Sequence, residues 1–271
     1  MIDILLATFN SEKYLREQID SLIAQDYTNW RLLIRDGGST DSTCAIIGEY
    51  IQKYPEQIIF VGQGKATVVE NFSSLLALST SDLIMFSDHD DVWFADKIKK
   101  TLALYSELES SYGSQTPLCV FTDSVITDMN LKVICPSNIR NQHLAPRHGL
   151  SLPRMLIQNV PSGNTMLFNA ALRDSINPLP PQESVVMHDH YVALAAVLLG
   201  KIAYLAEPTL FYRQHGGNVL GSKNYSLSQF VYKYIVKGEN LRKKLYAYTQ
   251  QANALLVQLK DRLSPEQQEV L

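Results

Sequence analysis

Short apolar runs alternate with amphipathic stretches through residues 1–91, and several runs end in a polar cluster. Ile2–Ala7 (IDILLA), Trp30–Arg35 (WRLLIR), Ile58–Val61 and Leu83–Phe86 (LIMF) read as buried strands. Helices are expected after Ser11, where Tyr14, Leu15, Ile19, Leu22 and Ile23 fall at helical spacing, after a cap at Asp41 or Ser42, and over Asn71–Leu78. This alternation predicts an α/β fold with a mostly parallel, Rossmann-like sheet and helices on both faces. Open sheets of that kind bind ligands at the C-terminal ends of their strands. Thr8–Asn10, Asp36–Asp41 and Asp88–Asp91 all fall at such ends, so one rim is the expected site.

The second half is more mixed. Phe94–Leu108 reads as a helix. Leu118–Thr122, Lys132–Ile134, Asn164–Phe168, Ile202–Leu205 and Thr209–Tyr212 read as strands. Cys135–Gly149 is expected to be a loop, the Pro-rich residues 176–184 a flexible stretch, and Gly216-Gly217 a loop. His188–Leu199 is apolar on nearly all sides past Tyr191, the mark of a buried helix. From Ser226 onward the pattern is helical and runs to Leu271, so a further segment is expected to follow.

Charge and cysteine content exclude several classes. A net charge of −3 on 271 residues gives no reason to expect nucleic acid as a partner. Residues 223–271 carry eight Lys/Arg against four Asp/Glu, which leaves an acidic body over residues 1–222. The expected division is a catalytic domain over 1–222 and a C-terminal helical region over 223–271. In that tail Phe230, Val231, Tyr234, Ile235, Leu241 and Leu245 interleave with Lys233, Lys237, Arg242, Lys243 and Lys244. Either a membrane-surface contact or packing on the domain or a second subunit, as in a homodimer, fits that pattern. Three cysteines at irregular spacing fit neither a zinc site nor a disulfide framework, which favours a reducing compartment. No run approaches the roughly 18 apolar residues of a membrane span, and no signal-peptide pattern opens the chain. A cytoplasmic location, at most peripheral on the inner membrane face, is the expectation.

Four clusters carry candidate chemistry. Ser87-Asp88-His89-Asp90-Asp91 crowds three carboxylates after an apolar strand. A hard divalent cation, Mn or Mg, would neutralise them and suit a bound diphosphate; a capped turn explains them equally well. Asp36-Gly37-Gly38-Ser39-Thr40-Asp41 lets backbone approach a ligand, or is a strand–turn–helix connection. The absence of GxGxxG argues against a dinucleotide site. In Met187-His188-Asp189-His190-Tyr191, Asp189 is either a helix cap or a general base, and the histidines are orienting or surface residues. Tyr212-Arg213-Gln214-His215-Gly216-Gly217-Asn218 suits a loop closing over a charged ligand, or a plain surface loop.

In this order, LLATFNSEKYL, LLIRDGGSTDST, FSDHDDVW, SGNTMLFN, MHDHY and YRQHGGN resemble the family 2 glycosyltransferases of GT-A fold, especially bacterial rhamnosyltransferases of surface polysaccharide synthesis. The resemblance spans residues 5–218. It implies an inverting, metal-dependent transferase that moves a sugar from a nucleotide-diphosphate donor, with dTDP-β-L-rhamnose as the leading choice, onto a lipid-linked saccharide. The alternatives are a UDP-hexose or UDP-N-acetylhexosamine transferase and an inactive nucleotide- or glycan-binding module. It implies roles too: Thr8, Asn10, Glu12, Asp36 and Asp88 at the nucleotide sugar, Asp90 with Asp88 and His215 at the metal, Asp189 as catalytic base. The sequence departs from the family at Gly37, where a second Asp is common, at His89, where Gln is usual, and at Asn164, where Cys is common.

Overall fold

The computed structural model describes residues 1–146, 150–216 and 238–271, with the side chains of 238–241 excepted. The first half follows the expected alternation: β1 (Ile2–Thr8), α1 (Leu15–Ile23), β2 (Trp30–Asp36), α2 (Thr43–Lys53), β3 (Ile58–Gln63), α3 (Val68–Leu78) and β4 (Leu83–Ser87). Next come β5 (Val92–Trp93), α4 (Lys97–Tyr112), β6 (Leu118–Thr127), β7 (Val133–Cys135), α5 (Asn138–Asn141) and α6 (Leu152–Met155). β8 (Met166–Asn169), α7 (Ala170–Ile176), α8 (His188–Leu199), β9 (Lys201–Arg213), α9 (Gly238–Leu259) and α10 (Pro265–Val270) complete the described elements.

The strands form one sheet in the order β3-β2-β1-β4-β8-β6-β9-β5, with β7 paired to β6. β1, β2, β3, β4, β6 and β9 run in one direction; β5, β7 and β8 oppose them. Alternate side chains enter opposite layers, as the period of a strand requires. Leu5, Leu33, Ile84 and Phe86 pack in a cluster with α3 and α8, while Ile4, Leu6, Leu32 and Met85 pack with α1 and α2. The strongest departure in topology is β8, which is inserted antiparallel between β4 and β6. Its first residues therefore start at the rim where the parallel strands end.

Several expectations change in detail. Ser11 does not cap α1 with its side chain; its hydroxyl accepts from the Phe9 amide at 3.0 Å, and its carbonyl receives the amides of Tyr14 and Leu15. α3 begins three residues earlier than its apolar spacing suggests, because Thr67 and Glu70 form a reciprocal capping box. The two short strands expected over Ile202–Leu205 and Thr209–Tyr212 are one strand, β9, whose register against β6 skips from Leu205 to Pro208. Proline has no amide to donate, so it is tolerated at that irregularity. The segment expected to be a loop over Cys135–Gly149 contains α5, and the helical pattern of the tail breaks at Ser264-Pro265, where Ser264 and Gln267 form a second capping box. The C-terminal helices pack onto α8 through Leu255, Leu259 and Leu263. Phe230, Val231, Lys233, Tyr234, Ile235, Lys237, Gly217 and Asn218 and the side chain of Leu241 lie outside the described residues.

Candidate active site

The polar strand ends meet as expected. A cavity of about 400 Å³ opens at the C-terminal rim, bounded by Thr8 and Asn10 from the end of β1, Asp88, His89 and Asp90 after β4, and Tyr212 and His215 from the end of β9. Ser162 and Gly163 close it from the turn that leads into the antiparallel β8, Val68, Asn71 and Phe72 from the first turns of α3, and Met187, His188 and Asp189 from the start of α8. Phe9, 55% exposed, adds an aromatic face at the mouth.

Asp189 is buried in the first turn of α8, whose N-cap is Met187. Its Oδ2 accepts the Gly163 amide at 2.9 Å and its Oδ1 the His190 amide at 2.6 Å. Burial pushes this carboxyl up to about 6, with the backbone amides of Gly163, His190 and Asp189 itself pulling the other way. Burial, then the neighbouring carboxylates of Asp90 and Asp189, push Asp88 up to about 8. Asp90 Oδ2 lies 2.7 Å from His215 Nε2, and His215 in turn packs on the Tyr14 ring at 4.7 Å. Asp91 points away from the cavity: it accepts Asn164 Nδ2 at 2.5 Å and the Arg213 amide at 3.3 Å. Asn164, where the family often has Cys, is thus the partner of a buried carboxyl. Of the three crowded acids, two face the cavity and one fastens the loop to the turn before β8 and to the end of β9.

Arg213, expected in a loop that closes over a ligand or lies on the surface, is 2% exposed. It donates to the carbonyls of Asp90 at 2.9 Å and Met129 at 2.7 Å, pairs with Glu17, and lies over the Tyr14 ring at 4.6 Å. Of the orienting and surface readings of the two histidines in MHDHY, burial rules out the surface one for both. His188 is buried and stacks on Phe72 with ring centroids 3.8 Å apart, and neither of its ring nitrogens has a hydrogen-bond partner among the described residues. Burial lowers its pKa to about 3, so the ring is neutral.

Two residues expected at the nucleotide rim are not among those bounding the cavity. Asp36 accepts from the Thr8 hydroxyl, the Ser39 hydroxyl and the amides of Gly38 and Ser39. Burial opposes its charge, but these four donors hold its pKa below the usual carboxylate range. Glu12 accepts the Ser42 amide at 3.0 Å. Both carboxylates tie the β1 and β2 loops together. Asn10 adopts φ +47°, a left-handed conformation Asn tolerates, and its side-chain oxygen accepts the Thr40 amide. Gly37 also has a local cause: a Cβ there would stand 2.8 Å from Asn71 Nδ2 and 3.3 Å from two backbone carbonyl oxygens. Asn71 and Phe72 were invisible as site residues in the sequence; the Thr67-x-x-Glu70 signature, which brings the helix start to the rim, is the signal that would have found them.

Among the described residues no group of three His, Cys, Asp or Glu side chains is already gathered for a metal ion. The donors facing the cavity are nevertheless hard oxygens plus one imidazole, and burial together with the crowding of the carboxylates raises Asp88 to about 8. That chemistry fits Mn or Mg around Asp90, Asp88 and His215.

Comparison with known proteins agrees with this architecture. The family model described as glycosyl transferase family 2 matches residues 3–171. The chain is 26% identical to a dTDP-rhamnosyl transferase of Shigella flexneri over 265 residues, 92% of this chain and 84% of that one. It is 23% identical over 222 residues to an uncharacterized glycosyltransferase of Nostoc sp., covering 80% of this chain and 66% of its relative. Among solved structures it resembles Staphylococcus aureus TarS residues 1–349 in complex with UDP-GlcNAc, with a TM-score of 0.58 and 17% identity over 99% of this chain and 78% of that one. It also resembles the mannosyltransferase PcManGT of Pyrobaculum calidifontis in complex with GDP-Man and Mn2+, with a TM-score of 0.57 and 13% identity over 99% and 77%. At these identities the structural likenesses establish the fold.

Proposed function

The chain belongs to glycosyl transferase family 2 and is a glycosyltransferase of GT-A fold, and from that premise we propose an inverting, metal-dependent enzyme that moves L-rhamnose from dTDP-β-L-rhamnose onto a lipid-linked saccharide in bacterial surface polysaccharide synthesis. The observation that supports it most is the convergence of Asp88, Asp90 and Asp189 on one cavity with Thr8 and Asn10. The rhamnose assignment draws on the Shigella relative, and on the apolar wall of Val68, Phe72 and Met187, which suits the methyl group of a 6-deoxy sugar.

In this proposal Thr8 and Asn10 line the nucleotide subsite and Phe9 stacks on the base. Asp36 and Glu12 shape that subsite by ordering its loops. Asp90, Asp88 and His215 would hold a divalent cation, which when bound offsets the charge gathering on the diphosphate. Asp189, with its pKa raised to about 6, is mostly ionised at neutral pH and takes the proton of the acceptor hydroxyl. The freed oxygen attacks the anomeric carbon opposite the diphosphate, through an oxocarbenium-like transition state, and a single displacement inverts the centre to an α-L-rhamnoside.

We assign residues 1–222 to the catalytic unit and 223–271 to an appended helical region. In α9, Arg242, Lys243, Lys244, Leu245 and Tyr246 are all exposed, so this turn is open all round, and its basic and apolar side chains suit an anionic membrane surface. No described helix is long and apolar enough to cross a membrane.

The donor is tested by release of nucleoside diphosphate from dTDP-β-L-rhamnose, UDP-GlcNAc and GDP-mannose, each with Mn2+ and a bacterial lipid extract as acceptor. Turnover of the rhamnose donor is expected. Turnover of a UDP sugar alone replaces the donor assignment, and turnover of none of them overturns the proposal. Titration with dTDP and UDP tests the metal: chelation or Asp90→Ala should weaken binding by about 2 kcal/mol or more, and unchanged affinity in both removes the metal from the account.

A further inference from the structure

The segment bearing Asp189 is held from the far end of the chain. Gln251, on α9, is 1% exposed although it is polar and lies among Ala252, Leu255 and Leu259. Its Oε1 accepts the amide of Val186 at 2.8 Å, just before α8. Its Nε2 lies 3.1 Å from His190 Nδ1. The other ring nitrogen, Nε2, lies 2.5 Å from the Met155 carbonyl oxygen. A carbonyl oxygen can only accept, so His190 carries its proton on Nε2. Nδ1 is therefore an acceptor, matched to the Gln251 amide. Burial keeps the ring neutral, and the two bonds fix its tautomer and plane. The His190 amide then donates to Asp189 Oδ1 at 2.6 Å.

One glutamine thus meets the backbone on one side of Asp189 and the imidazole on the other. From this geometry we propose that Gln251 is a positioning residue for the transfer reaction: through Val186 and His190 it sets where the Asp189 carboxylate stands in the cavity. The inference rests on the assignment of Asp189 as base. It makes α9 a part of the catalytic apparatus, although none of its described side chains bounds the cavity.

A buried glutamine that merely fills space behaves differently from one that acts through its hydrogen bonds. Gln251→Met keeps length and apolar packing and removes both bonds. Gln251→Glu keeps the acceptor for Val186 and removes the donor to His190, and it serves where the methionine variant does not fold. Each is assayed in the full-length protein for dTDP affinity and for kcat and KM with whichever donor sugar is turned over. The proposal expects kcat to fall about tenfold or more, since small displacements of a reacting group are costly, with dTDP affinity and donor KM within twofold of wild type. A kcat within twofold of wild type in the folded variants overturns it. Asp189→Asn, run in parallel, separates the two ideas. Full activity there removes the base assignment itself, while an inactive Asp189→Asn beside fully active Gln251 variants removes only the role of Gln251.

Discussion

The Gly163 amide donates to Asp189 Oδ2 at 2.9 Å, and the space around that glycine is nearly closed: a Cβ on Gly163 would stand 3.2 Å from the Asp189 Cβ and 3.3 Å from His188 Nε2. The SGNTMLFN segment therefore meets the MHDHY segment through a position that only glycine fills without displacing a neighbour. Gly163→Ala is expected to fold, at a cost of about 1–2 kcal/mol for overpacking. It should lower transfer by about tenfold through displacement of the carboxylate. Parallel thermal melts and kcat measurements check this; an alanine variant with wild-type kcat would show that the close approach has no bearing on catalysis.

Asp189 should also cost the protein stability at neutral and alkaline pH. Its pKa is about 6 in the folded chain against 3.8 for an ordinary aspartate, so the native state holds the proton more tightly than the unfolded chain does. Below pH 4 both states are protonated and no penalty exists. As the pH rises through 6 the native carboxyl ionises against its burial, and the penalty approaches about 3 kcal/mol. Asparagine keeps an acceptor for the Gly163 amide and has no charge to bury. Asp189→Asn is thus expected to melt higher than wild type at pH 8, with the gap closing toward pH 4. A gap independent of pH would contradict the raised pKa.

Arg213 ties together parts of the rim that are far apart in sequence. It joins the Asp90 carbonyl to that of Met129, pairs with Glu17 and lies over Tyr14. Glu17 is 55% exposed, so that pair adds little; the buried stem and the satisfied carbonyls matter more. Arg213→Ala should cost roughly 2–4 kcal/mol by removing packing and stranding the Asp90 carbonyl. It should also weaken dTDP binding, because the backbone of Asp90 loses its anchor. Denaturant titration and dTDP titration measure the two effects. Loss of stability without loss of dTDP affinity would mean that the acidic loop keeps its shape alone.

The first half of the fold was legible because β1, β2 and β4 are largely apolar runs at buried central positions, with the shorter β3 at the sheet edge beside them. The second half was harder. Pro208 and Glu207 break the apolar run of β9 although the backbone continues past them, and β5, just Val92–Trp93, is too short to have a period. The antiparallel course of β8 is set by tertiary packing, which a run as short as MLFN does not encode. At the site, the motifs identified which residues gather, and Thr8, Asn10, Asp88, Asp90, Asp189 and His215 all bound one cavity. What they could not reveal is how a carboxylate spends its hydrogen-bonding capacity. Asp36, Glu12 and Asp91 look like ligand-binding acids in one dimension, yet they accept from amides, hydroxyls and the Asn164 side chain. Nor does a sequence show that the two histidines flanking an aspartate are both buried, as His188 and His190 are.

In the proposed reaction this cavity performs glycosyl transfer with Asp189 as the base. The most direct measurement is transfer by Asp189→Asn set beside its dTDP affinity, since the exchange is nearly isosteric and removes the ability to take a proton together with one of the two amide acceptors. The account predicts unchanged dTDP affinity and a loss of about 10²–10⁴ in rate. A loss smaller than about tenfold, with dTDP still bound, would contradict it and leave Asp189 as a residue that only orders the first turn of α8.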